Sequence, residues 1–524
     1  MAKDNSMLPV YGRQEFKQNV PKTRIPEDPM SPESAYRMIK DSLNLDGSPA
    51  LNLATYVNTW MDDYAEKLIQ ENLDKNFIDH EEYPQSSLIE KRLIRMMGEM
   101  LGTEFAPEDN DPDKSEGFYG SVTVGSSEAI MLALIAHRKH WQNCNKANPH
   151  RNPLDRPFLL MSTHVHGCWD KYCRYYDVGA LYVSMGDDKY SNGGDVAEVL
   201  HCTIKDSIYR DEIIALCEYP DEYLPMLDQR TVGELVMAVG SIAGTTFTGN
   251  GDDTADIDDA VEAYCSMHVD ETSVDIPIHV DGASGGFILP FTNRRAEDQG
   301  HNAVRFDFKH TKRVRSINIS NHKFGMVYPG MGSVLFRNKD VVDPDLIYNI
   351  TYLGGSFVDY TVNFSRGSGV IISQYYNFLS WGRSGYQAVL DNCMDNTDHL
   401  INSIMDNPTL GNVFTPISDN VYYPIVVFKF KKAKEGIFEM PDFADEMREY
   451  GWIIASYKLP TTDPEKADGP YVFRIVVRQV ITAEQIDSMV KHMETVVEEL
   501  IVRDHTTTQP LRIHKRKPYN ASRI

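Results

Sequence analysis

The sequence predicts an α/β fold: a mainly parallel central sheet with helices on both faces, followed by a smaller α+β domain. Three observations carry this. Between Phe118 and about Arg337, short apolar runs alternate with longer amphipathic stretches, the pattern of strands joined by crossover helices. From Ser373 to Met405 apolar residues recur at helical spacing, giving one or two long helices. Beyond them, "YYPIVVFKF", "WIIASY" and "YVFRIVVR" read as strands, and "DFADEMREYG" and "TAEQIDSMVKHMETVVEEL" as helices.

Each element has a local reason. Residues 1 to about 30 mix charges and prolines and read as an extended arm, with no apolar h-region of a secretory signal. Ser31 precedes "PESAYRMIKDSL" as a helix cap, and "SSLIEKRLIRMMGEMLG" is a helix that stops at Gly102. The acidic, turn-rich "APEDNDPDKSEG" (Ala106 to Gly117) reads as a mobile loop. "FLLMS", "ALYVSM", "ELVMAVGSI", "IPIHVDG" and "GSVLFR" are the expected strands of the sheet. "SSEAIMLALIAHRKHW" and "DIDDAVEAYCSMHV" are the helices between them. The expected division is an N-terminal arm and helix (1–50), a large domain (51–393), a small domain (394–502) and a basic tail (503–524).

Bulk properties narrow the function. The chain has 524 residues, enough for more than one core, and its 42% hydrophobic and 24% charged residues are those of a soluble globular protein. A net charge of −24 offers no field for a phosphate backbone, so nucleic acid is not an expected partner. Seven scattered cysteines suggest no disulfide framework, and no apolar run is long enough to span a bilayer. The expected location is the cytoplasm, where the Asn-x-Ser/Thr matches at Asn318 and Asn363 would be silent. "HVHGCWDKYC" has histidines and cysteines but no standard zinc spacing, so no metal site is expected.

Two residues point to a particular chemistry. Asp281 follows a strand and precedes small residues that let backbone approach a ligand closely, and Lys323 sits at another strand end before a glycine-rich loop. Alone, Asp281 reads as a turn aspartate. Together they match the two protein handles on pyridoxal 5'-phosphate: an aspartate for the pyridine nitrogen and a lysine for the aldehyde. Gly125-Ser126-Ser127 opens a helix, where backbone N–H groups can take a phosphate, and His322 stands next to Lys323.

On these and other segments the sequence resembles the group II pyridoxal-phosphate-dependent decarboxylases, and among them the glutamate decarboxylases of bacterial and plant type. The segments that carry it include "LNLATYVNTW", "NFIDHEEYPQSS", "GSSEAIML", "CWDKYCRYYDV", "HVDGASGGFILPF", "SINISNHKFGMVYPGMG", "YLGGS", "NFSRGSGVIISQYYNFLSWGRSGY" and "YVFRIVVR". The resemblance implies fold-type I architecture, pyridoxal phosphate as cofactor, L-glutamate as substrate, and a homodimer or higher oligomer with active sites at the dimer interface. Lys323 would bind the cofactor covalently and return a proton. Asp281 would pair with the pyridine nitrogen, and Ala283 and His166 would flank the ring. Ser126, Ser127, Ser320 and His322 would hold the phosphate, with Phe364 and Ser365 reaching it from the neighbouring subunit. Thr246 would lie beside cofactor and substrate, and Arg474 would bind the α-carboxylate. Thr55, Tyr56 and Asp79 would receive the distal carboxylate, with Asp79 and that carboxylate sharing a proton. His166 stands where the nearest bacterial pattern has glutamine, and Tyr56 where it has phenylalanine. Gly282 replaces an alanine. A tail histidine, His505 or His514, is a candidate for closing the site at neutral pH. The rival readings are a decarboxylase of aspartate or an aromatic amino acid, and a non-catalytic protein on the same fold.

Overall fold

The computed structural model describes residues 23–148, 151–183, 191–268, 274–350, 357–417, 421–460 and 469–506. The arm before residue 23, the "YLGGS" segment, His514 and the side chain of His505 lie outside the described residues.

A seven-stranded sheet forms the centre. Its strands are β1 (Gly120–Thr123), β2 (Phe158–Ser162), β3 (Gly179–Val183), β4 (Val236–Ile242), β5 (Ile278–Gly282), β6 (Val314–Ile319) and β7 (Gly332–Phe336), in the order β1-β7-β6-β5-β4-β2-β3. The pairs among β2 to β6 are parallel, as expected where helical crossovers intervene. β7 runs antiparallel to β6 and to β1, because residues 320–331 turn back without a helix. That short return carries His322 and Lys323. Central strands β2, β4, β5 and β7 are buried along their whole length, which is why their sequences are continuous apolar runs rather than alternations.

Helices Ser126–Ala147 and Thr254–Met267 follow β1 and β4; the second is capped by Asp253, whose side chain accepts from Asp256 N–H. The long helical stretch Gly369–Asp406 is two helices meeting at Gly382, which adopts φ 58°. A left-handed residue breaks the ladder there, and glycine takes it without strain.

A hairpin, β8 (Tyr348–Ile350) with β9 (Phe357–Asp359), precedes that stretch. The second sheet contains β10 (Phe414–Pro416), β11 (Ile425–Phe430), β12 (Ala455–Lys458) and β13 (Tyr471–Val476), all antiparallel in the order β10-β11-β13-β12. Phe414, Phe428, Phe443 and Phe473 fill a core of their own beneath helices Met440–Glu449 and Ala483–Thr506. The short β10 was not expected from the sequence. The loop from Ala106 to Gly117 differs from its expectation of mobility. It closes around Asp109, 5% exposed, whose carboxylate accepts from Ser115 Oγ, Glu116 N, Gly117 N and the Tyr119 hydroxyl. An acidic, turn-forming composition does not reveal that one of its acids is turned inward. Among the described residues no helix is long and apolar enough to cross a membrane.

Candidate active site

The carboxyl ends of β4, β5 and β6 meet one crevice, as open α/β sheets arrange their ligand sites. Asp281, at the end of β5, is 5% exposed and its carboxylate accepts three hydrogen bonds: from Trp169 Nε1 at 3.0 Å, Ala283 N at 3.0 Å and Asn318 Nδ2 at 3.0 Å. Trp169 reaches it over β4 because Gly240 has no side chain; a Cβ there would lie 2.5 Å from the indole ring.

Lys323 follows β6 on the turn fixed by its own N–H to Ser320 O at 3.1 Å. Its Nζ donates to Ser284 Oγ at 3.3 Å and lies 5.2 Å from the centre of the Tyr56 ring. Burial lowers its pKa below the ordinary lysine value, Arg474 lowers it further, and Asp281 opposes both. A lysine with a depressed pKa has more free amine available to attack a carbonyl.

Arg474 comes from the central strand of the second sheet and is 8% exposed. Its guanidinium donates to Ala54 O at 2.6 Å and to Thr246 O, and packs 4.8 Å from the Tyr56 ring and 5.6 Å from the Tyr457 ring. Its buried Nε has no hydrogen-bond partner among the described residues, leaving a donor for a carboxylate. Tyr56, part of the "NLATY" segment, donates its hydroxyl to Thr246 O at 3.1 Å, which anchors the ring that both Lys323 and Arg474 approach. Thr55 Oγ1 accepts from Val57 N at 3.0 Å. The segment is held from both sides: Asn58 N–H donates to His322 O at 2.7 Å, and Leu53 exchanges backbone bonds with Ile453 and Val476. Arg478, 1% exposed, binds the carbonyls of Pro49, Asn52 and Val57 and the hydroxyl of Thr59.

The residues fit pyridoxal phosphate. Ser126 and Ser127 open a helix whose first N–H groups receive no side-chain cap. Gly332 lets that turn pack backbone to backbone, since a Cβ there would meet Gly125 C at 2.6 Å and Ser126 N at 2.7 Å. Ser320 Oγ is buried without a partner among the described residues. His322 turns its ring toward Gly125 and donates Nδ1–H to Met331 O at 2.6 Å. Its free Nε2 therefore donates to a phosphate only when the ring is protonated, a state that burial opposes. His166 stands exposed at the end of β2, its Nδ1 taking Cys168 N–H at 3.3 Å.

Asp79, Phe364 and Ser365 belong to a second cluster. Asn76 Nδ2 donates to Ser365 Oγ at 3.4 Å, and Phe77 N–H to Arg366 O at 2.8 Å, joining the turn that carries Asp79 to the Ser365 loop. Phe364 is 47% exposed. Within the chain, the structure thus gathers Lys323, Asp281, Tyr56, Thr246 and Arg474 in one group and Asp79 with Ser365 in another. The sequence reading gave no role to Trp169, Ser284 or Arg478, though all three lie inside quoted segments. It treated Asn318 only as a glycosylation match.

Residues 26–431 match the family described as the pyridoxal-dependent decarboxylase conserved domain, and the chain belongs to that family. Among its relatives, "Glutamate decarboxylase 5" of Arabidopsis thaliana is 34% identical over 482 residues, covering 92% of this chain and 85% of that one. "Glutamate decarboxylase alpha" of Listeria monocytogenes is 31% identical over 497 residues, covering 95% and 94%. The solved glutamate decarboxylase of Lactobacillus brevis superposes with a TM-score of 0.76 at 28% identity, covering 96% of this chain and 99% of that one.

Proposed function

We propose that this chain converts L-glutamate to γ-aminobutyrate and CO₂ with pyridoxal phosphate, consuming one proton. The observation that carries the reading is the convergence of Lys323, Asp281 and Arg474 on one crevice in a chain whose full-length relatives are glutamate decarboxylases. When bound, pyridoxal phosphate supplies an electron-accepting ring for the pair left by the broken Cα–carboxylate bond. Lys323 would hold its aldehyde, Asp281 its pyridine nitrogen, and Ser126, Ser127, Ser320 and His322 its phosphate, with Ala283 and His166 beside the ring.

The chain's own residues do the rest. Arg474 binds the α-carboxylate through the Nε–H that the fold leaves unpaired. The Tyr56 ring packs beside both the Lys323 amine and the Arg474 guanidinium and keeps water from them. Lys323 would take up a proton from the ammonium of the incoming glutamate and return it to Cα after the carboxylate has left, its depressed pKa making the charged form a ready acid. Thr55 and Asp79 receive the distal carboxylate.

The second cluster gives this reading a quaternary form. Asp79 is tied to the Ser365 loop, so if Ser365 reaches the phosphate of a neighbouring subunit, Asp79 travels with it. Glutamate would then be gripped by Thr55 of one subunit and Asp79 of the other, in a cytoplasmic homodimer or larger assembly. The test is CO₂ release from glutamate, aspartate and tyrosine by the purified protein with pyridoxal phosphate. Glutamate-selective release is expected; release from aspartate or tyrosine instead would overturn the substrate assignment.

A further inference from the structure

A buried polar chain runs behind Asp281, away from the crevice. Asn318 Nδ2 meets Asp281 Oδ1 at 3.0 Å, and Asn318 Oδ1 lies 2.9 Å from His279 Nε2. His279 Nδ1 lies 2.8 Å from Ser316 Oγ, which lies 2.7 Å from His137 Nε2. His279, Ser316 and Asn318 are 0% exposed and His137 is 1% exposed, so bulk water offers none of them another partner. The arrangement follows from register. β5 and β6 pair His279 with Ser316 and Asp281 with Asn318, and alternate residues share one face of the sheet. His137 comes down from the helix Ser126–Ala147.

The chain has only one consistent direction. An amide oxygen turned toward Asp281 would set acceptor against acceptor, so Asn318 presents its NH₂ there and its oxygen to His279. His279 must then carry its proton on Nε2. Burial pushes the His279 pKa down to about 4, despite the opposing pull of Asp281, so the ring is neutral and Nδ1 is a bare acceptor. Ser316 donates to Nδ1 and accepts from His137 Nε2–H. His137 is also neutral: burial, His279, Arg315 and His140 lower its pKa, and only Asp275 opposes them. Every donor points toward Asp281.

We propose that His137, Ser316 and His279 are positioning residues: they form a one-way hydrogen-bond chain that holds the Asn318 amide donor-first against Asp281 and keeps Asp281 an acceptor for the pyridine nitrogen. This rests on the reading of Asp281 as the partner of that nitrogen. The three residues act through Asn318 and touch neither cofactor nor substrate.

The test begins with the wild-type apoprotein. ¹⁵N-histidine NMR should find His137 and His279 neutral, each with its proton on Nε2, from about pH 5 to about pH 8. Ser316→Ala deletes the hydroxyl that joins the two rings and leaves the strand intact. It should free the His279 tautomer, weaken pyridoxal phosphate binding about tenfold, and move the pH midpoint of the bound cofactor's visible band. A charged His279 in the wild type, or one protonated on Nδ1, would overturn the chain while leaving the decarboxylase reading intact. Unchanged affinity and an unchanged midpoint in a folded Ser316→Ala would also overturn it. Failure of the wild type to bind pyridoxal phosphate at all would overturn both.

Discussion

Gly240→Ala tests whether packing on one strand reaches the chemistry on the next. The added Cβ would stand 2.5 Å and 2.8 Å from two atoms of the Trp169 ring and 3.3 Å from Met161 Cβ. Trp169 is 0% exposed, packs 5.4 Å from His279 and donates to Asp281, so any shift disturbs these contacts. Overpacking of a tight core costs about 1–3 kcal/mol. If the ring shifts to relieve the clash, its hydrogen bond to a carboxylate goes as well, worth about 1.5–3 kcal/mol. The sum, about 2.5–6 kcal/mol, should lower the melting temperature by several degrees. Because one of three donors to Asp281 is lost, cofactor affinity should fall about tenfold. Thermal unfolding of the apoprotein and equilibrium dialysis with pyridoxal phosphate read the two effects separately. Trp169→Phe is the companion variant, since it removes the donor without the clash and should weaken cofactor binding on its own. The reasoning is refuted if Gly240→Ala melts with the wild type and binds the cofactor equally well.

Other outcomes can be read from the same contacts. Arg478→Leu strands the carbonyls of Pro49, Asn52 and Val57, at about 1–3 kcal/mol for each group left unsatisfied. A marked drop in melting temperature and a raised KM for glutamate are expected, and wild-type values for both would show that the segment is held otherwise. His140 bonds Asp275 at 2.9 Å, which raises its pKa from 6.5 to about 9. A raised folded-state pKa gives stability that is full below about pH 6.5 and lost as pH rises through about 9. The contribution is on the order of 3 kcal/mol, so denaturation midpoints should fall over that window in the wild type and stay flatter in His140→Gln. Mixing Lys323→Ala with Asp79→Ala subunits should restore part of the activity, because a dimer with Asp79 acting across the interface has one intact site. No recovery in refolded mixtures would place Asp79 in the same subunit as its lysine.

The sequence made the sheet readable because its central strands are continuous apolar runs with helical stretches between them. It also marked Lys323, Asp281 and Arg474, the first two from their settings at strand ends and the third by resemblance to a family. What it hid was pairing across strands. Asn318 and Ser316 look like ordinary polar alternation on β6 until register sets them opposite Asp281 and His279. Gly240 looks like a flaw in a strand until Trp169 is seen above it. Arg478 ends the "YVFRIVVR" segment with no role assigned, yet it is 1% exposed and binds a segment more than 400 positions away. The tie between the turn carrying Asp79 and the Ser365 loop was equally invisible, because no local pattern records which loop a turn is joined to.

The central claim is that Lys323 is the amine that holds pyridoxal phosphate, and covalent trapping tests it most directly. The protein loaded with the cofactor would be reduced with borohydride, digested and mapped by mass spectrometry. One pyridoxyl adduct is expected, on Lys323, absent from Lys323→Ala. An adduct on another lysine, or none in a folded protein that still releases CO₂ from glutamate, would contradict it.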